Sequence, residues 1–159
     1  MFKVHTIDSF RDVQLYMHDT QDMIYFVDTS CIHQTILLRL PPVFVCASDE
    51  SSVEYIVPQV VLDTFRHMER HARSFFGQDT DPQKSPPCAR TLHTTWFRSS
   101  SSTMDVGQFV EAIVAIVGIE KNPQKGWSFV YRTVQVRAVD VTPPTLDETL
   151  LESIDLFST

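Results

Sequence analysis

The sequence predicts an α/β protein: a three-layer sandwich with a largely parallel central sheet. Three compact apolar runs have the length of strands, and stretches with helical periodicity lie between and after them; the runs cover residues 23–28, 43–47 and 54–57. Strands that alternate with helices favour this class, because each crossover helix returns the chain to the same end of a parallel sheet. The first run is the most informative, since it ends on the carboxylate of Asp28.

The first half of the chain is predicted to contain three helices, over residues 8–20, 30–40 and 59–76. Ser30 is the expected N-cap of the second helix, and Pro41 is expected to stop it because proline cannot continue a helix.

Two further helices and two strands are predicted in the second half. The helices cover residues 88–98 and 105–119, and the strands cover residues 127–131 and 134–141. The second of these helices is expected to be buried, because it is strongly apolar, with Val106, Phe109, Val110, Ile113, Val114, Ile116 and Val117. Residues 77–87 are expected to form a loop.

Length, charge and cysteine content restrict the class of protein. The 159 residues are predicted to form one domain over 1–145, followed by an acidic-apolar tail over 146–159 that is suited to docking as an amphipathic helix. A net charge of -7 argues against a protein that coats nucleic acid through bulk electrostatics. Three cysteines without CxxC spacing, no apolar N-terminal run and no run long enough to span a bilayer favour an intracellular protein, cytoplasmic or nuclear.

Three aspartates are the candidate chemical groups. Asp28 ends the first strand, Asp63 lies early in the helix after the third strand, and Asp105 begins the predicted buried helix. In a parallel sheet the three would converge on one edge, and clustered carboxylates bind Mg²⁺ or Mn²⁺, which can activate water. The alternative is structural: Asp28 and Asp105 cap helices, and Asp63 is a surface residue.

Three phrases that occur in this order resemble the PIN domains, a family of metal-dependent nucleases and their inactive relatives. They are Tyr25-Phe26-Val27-Asp28-Thr29-Ser30, Tyr55-Ile56-Val57-Pro58-Gln59-Val60-Val61-Leu62 and Ser102-Thr103-Met104-Asp105. The resemblance covers about residues 23–119. It implies a PIN-like α/β fold, a Mg²⁺ or Mn²⁺ cofactor, and Asp28 and Asp105 as catalytic metal ligands, with Asp63 as a further candidate.

The chain departs from the family pattern at two positions. PIN nucleases usually carry a glutamate in the helix after the second phrase, where this chain has Thr64, and a further acid after the last parallel strand, near where Arg132 stands. Asp63 is one residue from the first of these positions, which rotates its side chain by about 100° on a helix. The resemblance therefore implies a degenerate acidic site.

Helix 59–76 also carries a basic face formed by Arg66, Arg70 and Arg73. This face is predicted to contact RNA or an acidic partner; the alternative is an ordinary solvated face. His67 and His71 have the i, i+4 spacing of a zinc pair but lack the HExxH pattern.

Three functions follow from these observations. The first is a PIN-like interaction or scaffold module, with protein partners and RNA, in an RNA-processing or ribonucleoprotein assembly. The second is a divalent-metal-dependent endoribonuclease that uses Asp28 and Asp105. The third is an unrelated α/β interaction subunit whose aspartates are only caps.

Overall fold

The computed structural model describes residues 3–13, 15–28, 35–76, 91–98, 104–122, 124, 126–140 and 146–158. Within these ranges the protein is mostly β, with nine strands in one mixed, largely antiparallel sheet and one long helix. Only two of the described strand pairs are parallel. The predicted three-layer α/β sandwich, and with it the PIN-like fold, is therefore wrong.

Most of the strands are short. The nine described strands are β1 (Val4–His5), β2 (Leu15–Asp19), β3 (Met23–Asp28), β4 (Ile36–Arg39), β5 (Val43–Ser48), β6 (Ser52–Ile56), β7 (Thr91–Trp96), β8 (Phe109–Asn122) and β9 (Gly126–Ala138). The helices are α1 (Ile7–Phe10), α2 (Gln59–Phe75) and α3 (Glu148–Ser153), and Leu156–Ser158 form one 3₁₀ turn. No helix in the described ranges is long and apolar enough to cross a membrane.

The hairpin of β8 and β9 organises the fold. Its antiparallel ladder runs from Val110 opposite Ala138 to Asn122 opposite Gly126. At about 3.3 Å per residue, the 14 residues of β8 span roughly 45 Å, which is long enough to pair with several strands one after another. Along its other edge β8 pairs first with β5, then with β4 and finally with β3; β1 adds to β4, and β2 adds to β3.

Five of the strands close into a barrel, in the order β5, β6, β7, β9, β8 and back to β5. The closing contact between β7 and β9 is parallel and short, with Thr95 opposite Arg132 and Trp96 opposite Thr133. Closure satisfies strand edges that would otherwise be open to pairing with other chains. The interior is filled by inward-facing residues of the five strands, among them Val45, Val53, Tyr55, Leu92, Thr94, Val110, Ala112 and Thr133.

Three hydroxyl groups form a hydrogen-bonded chain inside the barrel. The Oγ1 atom of Thr94 donates to the carbonyl oxygen of Val53 at 3.1 Å. Its single proton is then used, so the Oγ1 of Thr133, 2.6 Å away, must donate to Thr94. By the same count the hydroxyl of Tyr55 donates to Thr133 at 2.9 Å. All three side chains are buried, and each hydroxyl proton has an acceptor.

Helix α2 packs against the first half of β9. Its buried residues recur at helical spacing, with Val61, Phe65, Met68 and Ala72 on the core side. The ring of Phe65 meets that of Tyr131 edge-to-face at 4.9 Å between centroids. The helix predicted over 59–76 is confirmed by α2, as are the predicted strands at 23–28 and 43–47 by β3 and β5.

Three predicted helices are wrong where the structure describes them. Residues 8–20 form the single turn α1 and then β2; the described part of 88–98 contains β7; and 105–119 begins with a turn and continues as β8. The last error has a clear cause: β8 is covered on both faces, so its sequence is apolar at nearly every position, and such a run does not show the period of two that marks a strand.

The remaining predictions concern residues that are described only in part. Of the helix predicted over 30–40, residues 36–39 form β4, and residues 30–34 lie outside the described ranges. The loop predicted over 77–87 also lies outside them. The two strands predicted over 127–131 and 134–141 are one continuous strand, β9.

Candidate functional site

Asp28 is buried at the end of β3, with 2% of its side chain exposed. It contacts a histidine of strand β1, which lies 23 residues earlier in the chain. The Nε2 atom of His5 lies 2.8 Å from its Oδ2 atom. A carboxylate has no proton to give, so the ring N–H is the donor. The sequence offered no signal for this partner, because His5 stands alone in a two-residue strand that nothing links to residue 28.

Asp105 lies far from Asp28. It is exposed just before the turn at Val106 and Gly107 that leads into β8, and it does not begin a helix as predicted. β3 leaves β8 at Tyr25, opposite Gly118, which is nine residues or about 30 Å along β8 from Phe109. Because β3 is antiparallel to β8, the residues from Tyr25 to Asp28 lead about 10 Å back toward that end, so about 20 Å of strand separates the level of Asp28 from Phe109, and Asp105 precedes Phe109.

This separation decides what the two aspartates can do together. Mg²⁺ and Ca²⁺ hold their oxygen ligands at about 2.0–2.6 Å, so one ion cannot bind both Asp28 and Asp105. Among the residues that the structure describes, no group of three or more His, Cys, Asp and Glu side chains is placed to hold a metal ion.

Asp63 faces a cleft between α2 and the N-terminal segment. Its Oδ1 atom accepts a hydrogen bond from the Nε2 of Gln59 at 2.8 Å, one helical turn earlier. The cleft has a volume of about 610 Å³, and we call it the helix cleft. It is lined by Phe10, Arg11, Val13, Leu15, Asp63, Thr64, His67, Met68 and His71.

The three arginines of α2 have different environments. Arg70 is exposed, whereas Arg66 and Arg73 are partly buried. The guanidinium carbon of Arg73 lies 5.3 Å from the ring centroid of Phe129, in cation–π contact. Of the predicted contact face, Arg70 is therefore the residue most open to an RNA or a partner.

A partly buried acid that sequence reasoning missed, Glu69, lies between these arginines. The hydroxyl of Tyr131 donates to Oε1 of Glu69 at 2.6 Å. Burial raises the pKa of Glu69 above its ordinary value, against the lowering effects of the Tyr131 hydrogen bond, Arg73 and Arg66. Burial and the Glu69 carboxylate together hold the pKa of Tyr131 well above 10. The pair joins α2 to β9 and is structural in its placement.

The C-terminal residues 146–158 expose their apolar side chains. Leu146, Leu150, Leu151, Ile154 and Phe157 are each at least 40% exposed, and no residue of α3 is buried. The carboxylate of Asp147 caps α3 by accepting from the backbone N–H of Leu150 at 3.1 Å. The segment thus forms a helical turn although it contributes nothing to the core.

No known protein family, no curated protein and no solved structure matches this chain.

Proposed function

We propose that this protein is a non-catalytic interaction module, which joins a larger assembly by inserting residues 146–158, here named the docking segment, into an apolar groove of a partner protein. One observation carries the proposal: apolar side chains stand exposed along residues 146–157, and two of them, Leu150 and Leu151, lie on the capped helical turn α3. Soluble proteins rarely leave such side chains together in water, and contiguous exposed apolar surface is typical of an interaction site.

The spacing of these side chains suits a helix that binds in a groove. Leu146, Leu150 and Ile154 recur every four residues, and Phe157 continues the same stripe. Such i, i+4 anchors are the pattern by which amphipathic helices bind hydrophobic grooves. A six-residue helix is marginal on its own, so the partner would supply most of the stability of its bound form.

Charge identifies the chemistry of the partner. The docking segment contains four acids and no Lys or Arg, so it carries -4 of the total net charge of -7; the acids are Asp147, Glu148, Glu152 and Asp155. A groove with Lys or Arg on its rim would attract this segment and orient it. The partner is therefore a protein with a basic-rimmed apolar groove.

Nucleic-acid binding by the barrel is the less favoured function. Five-stranded barrels such as the OB-fold bind oligonucleotides across their second and third strands and the adjoining loops. In this barrel the connection between the first two strands carries Asp49 and Glu50. The second strand carries the partly exposed Glu54, whose Oε1 atom lies 3.9 Å from the Nδ1 of His93. This acidic surface repels phosphate, whereas nucleic-acid affinity depends on Lys and Arg.

The endoribonuclease function is not proposed, because Asp28 and Asp105 do not share a site. The RNA-processing setting rested on the resemblance to a fold that this chain does not have. The proposal therefore identifies the partner by its surface chemistry alone.

Photo-crosslinking in cells tests the proposal. A photoreactive residue at Leu151, on the flank of the apolar stripe, should crosslink to one or a few proteins at a site lined by apolar side chains and rimmed by Lys or Arg. The variant Leu150→Ser with Ile154→Ser should lose these crosslinks, since it removes two anchors. Val106→Ser is the matched control, because Val106 is another exposed apolar residue that lies outside the segment.

The double variant should fold normally, since its two residues lie outside the core, and its free energy of unfolding should change by no more than about 0.5 kcal/mol. Crosslinks that persist unchanged in this folded variant would overturn the proposal, as would crosslinks to an acidic site.

A further inference from the structure

We propose that His67 and His71 of α2 form a chelating site for a divalent transition metal ion such as Ni²⁺, Cu²⁺ or Zn²⁺, at the side of the helix cleft. Both side chains line this cleft. The inference is independent of the proposed function, because it uses no residue of the docking segment. It gives the protein a second kind of ligand, an ion that is bound by ring nitrogen atoms.

The helix fixes the distance between the two side chains. α2 runs from Gln59 to Phe75, and His67 and His71 lie within it. Side chains four residues apart on a helix lie on one face, with about 5–6 Å between their Cβ atoms. Two imidazole rings at this spacing can bind one ion, because a bond between zinc and a histidine nitrogen is about 2.0–2.1 Å long.

The same spacing occurs in the zinc-binding HExxH motif, with one difference in chemistry. In that motif the glutamate after the first histidine acts as the general base of a protease. In this chain the residue after His67 is Met68, which is buried. The pair therefore supplies the metal-binding part of the motif without its base, which agrees with a protein that binds and does not hydrolyse.

Both imidazole rings are available to an ion. His67 and His71 are exposed, and within the described part of the chain neither forms a hydrogen bond or an ion pair. Two other histidines are engaged: His5 contacts Asp28 at 2.8 Å, and His93 lies 3.9 Å from Glu54. An ion at His67 and His71 would thus displace water alone and would break no contact within the described structure.

The charges of the cleft do not repel a cation. With both histidines neutral, the charged residues that line it are Arg11 and Asp63, whose charges cancel. Asp63 precedes His67 by one helical turn, so its negative charge lies on the same face of α2. We do not count Asp63 as a ligand, because no group of three such side chains in the described ranges is placed to hold an ion.

Two nitrogen ligands determine which ions bind and how. Imidazole suits Ni²⁺, Cu²⁺ and Zn²⁺, and affinity for a given site rises from Mn²⁺ through Ni²⁺ to Cu²⁺. Dedicated zinc sites have three or four protein ligands, so an ion bound by two keeps positions for water. A donor atom of a molecule in the cleft can replace this water, which makes the site open and exchangeable.

Calorimetric titration of the purified full-length chain, prepared without a histidine tag, tests the inference. We expect one Ni²⁺ or one Zn²⁺ to bind per chain, and Mn²⁺ to bind at least about tenfold more weakly. Ni²⁺ at ten times its dissociation constant should raise the melting temperature by about 3–5 °C. The electron paramagnetic resonance spectrum of bound Cu²⁺ should show coupling to two imidazole nitrogen atoms.

Single variants test the two ligands. His67→Ala and His71→Ala should each weaken Ni²⁺ binding at least about tenfold, because one imidazole alone cannot chelate. Both residues are exposed, so without metal each variant should melt within about 2 °C of the wild type. His18→Ala is the matched control, since His18 is exposed but does not line the cleft. It should leave the affinity within about a factor of two.

Three results would overturn the inference. They are no Ni²⁺ binding by the folded wild type, Ni²⁺ binding that both variants leave unchanged, and Mn²⁺ binding as tight as that of Ni²⁺, which would indicate oxygen ligands. Each of them leaves the proposed function intact, because that function is tested by crosslinking of the docking segment and requires no metal.

Discussion

The Nε2 atom of His5 and the Oδ2 atom of Asp28 lie 2.8 Å apart, with 3% and 2% of the two side chains exposed. The contact joins the two-residue strand β1 to the last residue of β3. In the described structure β1 and β3 are not neighbours in the sheet, because β1 pairs with β4, β4 pairs with β8, and β8 pairs with β3. The two side chains therefore connect strands that backbone hydrogen bonds link only through β4 and β8.

Removal of the histidine should destabilise the protein strongly. His5→Ala is expected to lower the free energy of unfolding by about 3 kcal/mol, because it takes a buried hydrogen-bonding partner away from a carboxylate. Urea unfolding measures the effect. His18→Ala, at an exposed position of β2, is the control and should change stability by no more than about 0.5 kcal/mol. Equal effects of the two variants would show that the contact contributes nothing.

The distance between Asp28 and Asp105 gives a prediction about metal. Saturating Mn²⁺ should not raise the melting temperature, because a metal stabilises a fold only where the folded state binds it. Asp105→Asn, at an exposed turn, should melt at the wild-type temperature with or without the ion. A Mn²⁺-dependent rise that disappears in Asp105→Asn would contradict the placement of the two carboxylates.

The hydroxyl chain inside the barrel predicts an order of effects. Tyr55→Phe removes the first donor and leaves Thr133 and Thr94 bonded, so it should cost about 1 kcal/mol. Thr133→Val interrupts the chain in the middle and leaves the Tyr55 proton without that acceptor, so about 2–3 kcal/mol is expected. Chemical denaturation of both variants checks the order. A larger effect of Tyr55→Phe would show that the direction assigned to the chain is wrong.

Glu69 should make stability depend on pH. Its pKa in the folded protein is raised, chiefly by burial, so between its ordinary value of 4.5 and the raised value the folded state holds more proton than the unfolded state. Stability from this group is therefore greatest below pH 4.5 and is lost as the pH rises through the raised pKa. Glu69→Gln keeps an acceptor for Tyr131 and cannot ionise.

The measurement is the difference in free energy of unfolding between Glu69→Gln and the wild type, followed from pH 4 to pH 7.5. We expect the difference to shift in favour of the glutamine variant as the pH rises, and then to level off. Val60→Ala, at an exposed residue of the same helix that has no titratable group, is the control and should give a flat difference. A difference that moves toward the wild type would contradict the raised pKa.

Gly118 is expected to tolerate no side chain. It has φ of +151°, and a Cβ there would lie 1.9 Å from the carbonyl oxygen of Ile24, where β3 pairs with β8. Gly118→Ala should therefore lower the free energy of unfolding by more than about 4 kcal/mol, a loss that only severe local disruption produces. Gly126→Ala also has positive φ but open space around it, so only about 1–2 kcal/mol of backbone strain is expected. Thermal melting of both variants separates crowding from strain.

Local pattern was sufficient for part of the fold. The run Met23–Asp28 is bounded by polar residues and has strand length, and β3 has the same limits. Helix α2 was predictable because its buried residues repeat with helical spacing on a polar background. In α2 one face is apolar and the other is polar, and in β3 polar residues mark both ends of the apolar run. Such contrasts are visible in a single sequence, so both elements could be predicted from it.

Pattern failed where tertiary burial removed the contrast. β8 touches the barrel interior on one face and is covered on much of the other, so its apolar run is compatible with a buried helix or with a strand. The residues of β7 carry little apolar character, and their assignment depends on partners more than thirty residues away in sequence. Long-range pairing decides such elements, and composition does not.

The sequence by itself determined β3, α2, the acidic-apolar character of the C-terminal segment and the presence of a carboxylate at the end of an apolar strand. Only the tertiary structure decided that the sheet is largely antiparallel, that five of its strands close into a barrel, and that Asp28 pairs with His5. It also decided that about 20 Å of strand separates the level of Asp28 from the start of β8, which Asp105 precedes. The physical reason is that the side-chain pattern reports which face of an element is buried. Which strand lies beside which depends on hydrogen bonds between distant parts of the chain, and the local pattern does not encode them.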